Sequence, residues 1–396
     1  MKKLNKTEIA TFGENTRLVI GGREPADYHG FVNTPVFHGS TVLAPSVKEL
    51  LAHKQPYVYG RRGTPTSQAL EDALKAIDGS AGVVLCPSGL NAVATALLSC
   101  LAAGDHLLMV DSTYQPTRTF CDRDLSRFGI ETTYYDPLIG PGIEALIRPN
   151  TKAVYLEAPG SQSFEIQDVP LIAEIAHRHG ATVLFDNTWA TPLFFDAMAH
   201  GVDLSIQAGT KYIVGHSDAM FGVVSASLAA WPALKGFYGD AGLCAGPDDI
   251  YLATRGLRTM GVRLRQHQEG ALAVARWLET RPEVQRVLHP GLESHPGHAI
   301  WKRDFKGSSG LFSIVMQPAP QEAIEVFLDE LKFFGLGYSW GGFESLAVPF
   351  DCSGYRTATT WNPGGPSIRL HIGLEDVSDL IADLEAGLAR FKAAQA

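Results

Sequence analysis

Cysteine is scarce and never paired in a motif. The five cysteines, Cys86, Cys100, Cys121, Cys244 and Cys352, are scattered over 396 residues with no Cys-x-x-Cys. That excludes a disulfide scaffold and fits reduced thiols in a cytosol. Long hydrophobic runs are missing as well. The longest apolar stretch, from Ala92 to Ala103, carries Thr95, Ser99 and Cys100 and is too short to span a bilayer. Met1-Lys2-Lys3 could begin a signal peptide, but Asn5, Lys6, Thr7, Glu8 and Thr11 follow where an apolar segment belongs. A cytoplasmic location is expected. Excess positive charge is absent: 33 Lys and Arg stand against 42 Asp and Glu, a net −9. This argues against non-specific binding to nucleic acid or to an anionic membrane. A metal set is also missing. His177 and His179 are two apart on one helical stretch and share no face. His289, His295 and His298 lie in a Pro/Gly-rich loop without an Asp or Cys set, so no metal site is expected.

What is present is material for a large core. Hydrophobic residues make up 45% of the chain, which excludes a disordered protein. Residues 1–60 are rich in Gly, Pro, Thr and His without periodicity and read as an extended arm that needs another surface to lie on. Regular patterning starts near residue 61. Ser67–Asp78 reads as a helix stopped by Gly79. A second helix opens at Gly89, with apolar residues at Leu90, Val93, Ala94, Leu97, Leu98 and Leu101. Strand-like runs fall at 83–85, 106–110, 132–135, 153–156, 182–185, 204–206 and 222–225. Helical stretches such as Pro170–His179 lie between several of them. Seven short strands alternating with helices predict an open, mostly parallel α/β sheet over residues 61–256. Such sheets bind ligands beyond the carboxyl ends of their strands. A long helix from Pro247 to about Thr280 leads into residues 257–396, a smaller α+β region. Its strands are predicted at Leu311–Met316 and Ile368–Ile372, and its helices at Gln321–Phe333 and Val377–Phe391.

Three places could carry chemistry. Asp186 ends the apolar run Thr182-Val183-Leu184-Phe185; alone it reads as a helix cap. Lys211 follows the next run, in Gln207-Ala208-Gly209-Thr210-Lys211-Tyr212, among small and apolar residues rather than other charges. A partly desolvated lysine has a depressed pKa and can form a Schiff base. An aspartate beside it is what pyridoxal phosphate needs to keep its ring nitrogen protonated. Pro87-Ser88-Gly89-Leu90 joins a strand to a helix, and a helix N-terminus can hold a phosphate.

With these residues in place, the sequence resembles the cysteine and methionine metabolism family of pyridoxal-phosphate enzymes, of fold type I. The resemblance runs from about Asn33 onward. It is most specific in Tyr59-Gly60-Arg61-Arg62-Gly63-Thr64-Pro65-Thr66, Thr210-Lys211-Tyr212-Ile213-Val214-Gly215-His216-Ser217-Asp218 and Tyr338-Ser339-Trp340-Gly341-Gly342-Phe343-Glu344-Ser345. It implies pyridoxal 5'-phosphate as cofactor, with Lys211 as the Schiff-base lysine, Asp186 on the pyridine nitrogen and Tyr114 stacked on the ring. Gly89, Leu90 and Thr210 would serve the phosphate. Tyr59 and Arg61 would reach it from a neighbouring subunit, which implies a homotetramer with shared sites. Arg369 would clamp the substrate carboxylate, and Ser339 and Trp340 would line the substrate side. Read singly, Tyr114 and Trp340 are packing residues and Arg369 is half of an ion pair.

The resemblance implies a lyase acting on a small amino-acid thioether. The stretch Tyr338–Gly342 is similar to the members that break the carbon–sulfur bond of cystathionine at the β-carbon, in methionine biosynthesis. Lys211, Tyr114 and Tyr59 are the implied proton carriers. The alternatives are γ-lyase or γ-synthase chemistry on the same scaffold, or a non-catalytic cofactor-binding protein. Methionine γ-lyases typically place Cys two residues after Tyr114, where this chain has Pro116. Two departures from many relatives stand out: Ala208 where they have Ser, and Ser161 where they have Asn. The first leaves one phosphate hydrogen bond missing or supplied elsewhere, and the second leaves the ring oxygen to Ser161 or to another donor.

Overall fold

The computed structural model describes residues 4–395. Seven strands form the larger sheet: β1 (Gly82–Cys86), β2 (His106–Val110), β3 (Glu131–Tyr135), β4 (Thr151–Glu157), β5 (Thr182–Asp186), β6 (Leu204–Gln207) and β7 (Gly222–Ala226). Their order is β1-β7-β6-β5-β4-β2-β3. Strand β7 is antiparallel to both neighbours, and the other six run parallel. The expected mostly parallel α/β sheet is therefore present. Both faces are covered, which is why the strands read as apolar runs rather than alternating ones. Leu107, Met109, Ala153, Tyr155 and Leu184 pack under the helix Gly89–Cys100. Leu108, Val110, Val154, Leu156 and Phe185 pack under the helix Val169–Arg178. Local signals set the ends of these elements. Thr64 and Ser67 form a capping box ahead of Pro65–Asp78, and Gly79 closes that helix with φ +68°.

The second sheet has five strands: β8 (Val284–Leu288), β9 (Leu311–Met316), β10 (Phe334–Gly335), β11 (Ser345–Phe350) and β12 (Ser367–His371). They lie in the order β10-β11-β12-β9-β8. The helices Gln321–Leu328 and Val377–Ala393 cover it, with Phe327, Leu380, Leu384 and Leu388 in its core. The first of these helices is shorter than its pattern suggested. The Asp383 carboxylate takes the N–H groups of both Lys332 and Phe333 at 2.8 Å, drawing that segment out of the helix.

One helix of 33 residues, Pro247–Glu279, joins the two halves. Ile250, Ala253, Leu257, Met260 and Leu264 belong to the core beside the large sheet, whereas Ala271, Val274, Ala275 and Leu278 belong to the core of the small one. Residue 256 thus lies within a continuous helix, and the change of core comes later, between Leu264 and Ala271.

The first 60 residues are not uniform. Glu14–Ile20 is a short helix that packs on its own chain. Leu18 is buried there, and Arg258 donates to the carbonyls of Leu18 and Gly21, both at 2.7 Å. Farther on, Phe31, Val32, Leu43, Leu50 and Leu51 stand out from the surface, Leu43 with 86% of its area exposed.

Candidate active site

Because six strands of the large sheet run the same way, the segments after β1, β2, β4, β5 and β6 meet at one edge. Ser88-Gly89 follows β1, Tyr114 follows β2, Glu157 ends β4, Asp186 ends β5, and Lys211 follows β6. The sequence had marked four of these five places.

Thr188 ties two of them together. Asp186 Oδ1 accepts from the Thr188 N–H at 3.0 Å and from its hydroxyl at 2.5 Å, and Thr188 Oγ1 accepts from the N–H of Ala208 at 2.8 Å. The carboxylate and the Lys211 loop therefore share one anchor. Lys211 Nζ donates to Ser339 Oγ at 2.5 Å and lies 5.4 Å from the Trp340 ring centre. Arg369, on β12, donates to the Ser339 carbonyl at 3.0 Å. So Lys211, Ser339, Trp340 and Arg369 form one cluster, with the turn that follows β10 closing over the lysine. Burial pushes the Lys211 amine down to about 8, helped by the Arg369 charge and opposed by Asp186. Burial likewise lowers Arg369 to about 10.

Tyr114 is half exposed and faces the same cleft. Its N–H donates to Glu157 Oε2 at 2.8 Å, and the Thr113 hydroxyl donates to the same oxygen at 3.1 Å. Burial raises the Tyr114 phenol. Glu157 pairs in register with Asp186 across β4 and β5. Burial raises both carboxyls, Glu157 well above its ordinary range, where the charge of Asp186 adds to the effect. Glu157 is a member of the site that the sequence alone did not single out. Its signal was the same as that of Asp186: a lone carboxylate closing an apolar strand.

After β1, Ser88 Oγ caps the helix Gly89–Cys100 by accepting from Asn91 N–H at 3.1 Å. The N–H groups of Gly89 and Leu90, in the first turn, have no intrahelical partner and remain as donors. Gly89 is needed there, since a Cβ would stand 2.5 Å from that of Ala208. The same contact shows why a small residue sits at 208. Thr210 is engaged with Phe221 in both directions, donating to its carbonyl at 3.1 Å and accepting from its N–H at 2.8 Å. Ser161 donates its N–H to the Ser112 carbonyl at 2.8 Å.

Tyr59 and Arg61 are not brought into the cluster. Arg61 donates to the Gly239 carbonyl at 2.8 Å, and Tyr59 is exposed. Among the described residues, no hydrogen bond links either to Lys211, Asp186, Ser339 or Arg369, and no group of His, Cys, Asp and Glu could hold a metal ion. Nor is any helix among them long and apolar enough to cross a membrane.

A buried lysine with a lowered pKa, a carboxylate at the adjoining strand end and a helix N-terminus with free donors fit pyridoxal phosphate. The fold agrees: a solved cystathionine gamma synthase of Xanthomonas oryzae pv. oryzae superposes with a TM-score of 0.89 at 32% identity, over 97% of this chain and 99% of that one. Fold and site together define a pyridoxal-phosphate enzyme of fold type I. The family model described as Cys/Met metabolism PLP-dependent enzyme matches residues 15–389, and the chain belongs to that family. Among its relatives is a Rhizobium johnstonii protein provisionally named cystathionine beta-lyase, 56% identical over 95% of this chain and 96% of that protein. The cystathionine beta-lyase MetC of Escherichia coli is 44% identical over 95% of this chain and 98% of its own length.

Proposed function

We propose that the chain is a carbon–sulfur β-lyase that converts L-cystathionine and water to homocysteine, pyruvate and ammonia. The observation that carries this reading is the turn closing on the lysine, with Ser339 Oγ on Lys211 Nζ and the Trp340 ring beside it. In this reading the indole confines the amine to the substrate α-proton, whereas γ-chemistry would require it to swing on toward the β-carbon. The names of the relatives support the same reading.

Pyridoxal phosphate, when bound, supplies an electron sink conjugated to the substrate α-carbon. Lys211, as the neutral amine, takes the α-proton; its lowered pKa keeps more of it unprotonated near neutral pH. Asp186 is oriented by Thr188 to hold a proton on the ring nitrogen. A proton on Glu157 leaves the neighbouring Asp186 as the charged member of the pair, since two adjacent buried carboxylates do not both ionise readily. Arg369 grips the substrate carboxylate with its two-pronged guanidinium. As the carbon–sulfur bond breaks, the electron pair leaves with sulfur and takes a proton from the Tyr114 phenol, from Lys211 or from Tyr59 of a neighbouring subunit. Gly89 and Leu90 N–H groups serve the phosphate, joined by the Thr210 hydroxyl once it turns from the Phe221 carbonyl, and Ser339 and Trp340 line the substrate side.

In this reading the part of residues 1–60 that lies beyond the own-chain helix Glu14–Ile20 reaches onto a neighbouring subunit and brings Tyr59, with Arg61, to its phosphate, within a cytoplasmic homotetramer. Residues 61–256 bind the cofactor and residues 257–396 supply the carboxylate grip. The test is product analysis with purified protein and cystathionine. Pyruvate with homocysteine is expected. Predominant 2-oxobutyrate with cysteine would move the chain to the γ-lyases, and no keto acid at all would make it a non-catalytic binder.

A further inference from the structure

His371 is the last residue of β12, two positions after Arg369, so both side chains leave the same face of the strand. It is fully buried, and both of its ring nitrogens are used. Nδ1 lies 3.0 Å from the Glu344 carbonyl, and Nε2 lies 3.0 Å from the Gly341 N–H. A carbonyl can only accept and a backbone N–H can only donate. The partners therefore fix the tautomer: the proton is on Nδ1 and the lone pair on Nε2. Burial, with the nearby His267, Arg369 and Lys211, holds the ring neutral, as that arrangement requires.

The segment it grips is under strain. Ser339 and Gly341 both have φ +86°, and a Cβ at position 341 would come within 3.0 Å of the Lys211 backbone. A residue other than glycine keeps such a conformation only where its surroundings over-determine it. Ser339 is held by its carbonyl to Arg369 and by its hydroxyl to Lys211. Beyond it, the turn is fixed at Gly341 and Glu344 by one imidazole. The ring itself is braced by His267, whose centre is 5.3 Å away and whose Nδ1 bonds the Ile372 carbonyl at 2.8 Å.

We infer that His371 is a positioning residue whose imidazole bridges Gly341 and Glu344 and so sets the Ser339 hydroxyl against the Lys211 amine. The inference rests on the reading of Lys211 as the reacting amine. It adds that strand β12 serves this chemistry twice, through Arg369 toward the substrate and through His371 toward the base.

The test uses holoenzyme carrying His371→Gln, His371→Asn, Ser339→Ala, or His371→Asn with Ser339→Ala. Gln can present an oxygen near the Nε2 position, whereas Asn keeps the donor toward Glu344 and loses the acceptor for Gly341. Three quantities are read: kcat and KM, cofactor content, and the pH midpoint of the bound cofactor's absorbance without substrate. His371→Asn should lower kcat by about 10- to 100-fold at unchanged cofactor content, as expected for a small misplacement of a reacting group. It should move the absorbance midpoint in the same direction as Ser339→Ala. His371→Gln should stay within about threefold of the parent enzyme. On the Ser339→Ala background, His371→Asn should cost less than about twofold more, because both changes act through one hydroxyl.

Equal kcat for the Asn and Gln variants, or full additivity in the double variant, overturns the inference, as does activity lost only in step with cofactor. If the Asn variant is recovered without cofactor, the Gln variant decides: a midpoint displaced as far as in Ser339→Ala counts against the bridge. Lys211→Ala keeps the two readings apart. Turnover by that variant defeats the assignment of Lys211 whatever His371 does.

Discussion

The carboxyl edge of the large sheet and the stretch from Phe31 to Tyr59 both contribute to the proposed site, but they are built in opposite ways. At the sheet edge every group is anchored within the chain. Asp186 and the Lys211 loop meet at Thr188, Tyr114 hangs from Glu157, and Gly89 is pressed against Ala208. Along the arm, apolar side chains have nothing of their own chain to cover them: Phe31 and Leu51 are each 71% exposed. Several large apolar side chains exposed along one stretch are what an interaction face leaves in a single chain. On the proposed reading, one part of the site is complete in a monomer, while the other takes its structure from assembly.

The largest expected effects test the self-sufficient part. Lys211→Ala should lose turnover by a factor on the order of 10⁴ or more, together with the yellow colour of the bound cofactor, measured by pyruvate release and absorbance. Asp186→Ala should cost about 10²- to 10³-fold even where cofactor stays bound, the usual range for removing one group that stabilises developing charge. Turnover near the parent level in either would mean that the anchored edge is not where the chemistry occurs.

Assembly can be tested by mixing. Arg61→Ala and Lys211→Ala subunits, each inactive alone, should recover about a quarter of the parent activity after subunit exchange, because a mixed pair of subunits regains one intact site. No recovery in subunits shown to exchange would place Arg61 in its own chain's site and dissolve the contrast.

A smaller effect concerns the lysine before cofactor loading. With its amine pushed down to about 8, Lys211 is mostly ammonium below that pH and mostly neutral amine above it. In cofactor-free protein its acetylation rate, followed by mass spectrometry, should therefore rise through pH about 8 rather than near the ordinary lysine range. Burial is the first cause of the shift and Arg369 the second, so Arg369→Leu should raise the midpoint. A midpoint unchanged from free lysine would show the amine to be solvated.

The smallest effect separates core from arm. Leu184→Ala, at a fully buried position of β5, should destabilise the subunit by about 2–5 kcal/mol. Leu43→Ala should change subunit stability by less than about 0.5 kcal/mol, yet weaken association in sedimentation experiments. Comparable denaturation shifts for the two would mean that Leu43 is packed in its own chain after all.

The same division decided what could be read from the sequence. All seven strands of the large sheet lie within a residue or two of where their strand-like runs suggested; for β2, β4 and β5 this is because a buried parallel strand writes its length directly into composition. Asp186 and Lys211 were visible because a charge that ends such a run must lie at the ligand edge. Glu157 obeys the same rule and was legible in principle. His371 was not, because its meaning depends on backbone groups about 30 residues earlier that curl back onto it. The early end of the helix at Leu328 was hidden for a like reason: its cause is Asp383, far along the chain. Nothing local in residues 31–59 says what covers them, because by this account the cover belongs to another molecule.

The helix Pro247–Glu279 has a consequence for heredity as well as for stability. At about 1.5 Å per residue it runs roughly 50 Å, and no loop interrupts its passage from one core to the other. Grafting the carboxylate-gripping half of one relative onto the base-bearing half of another would need a crossover inside a helix whose two ends must each match a different core. Recombination therefore has no clean seam here. New substrate preferences in such a chain are expected to arise by point changes around the Ser339 turn rather than by exchange of modules.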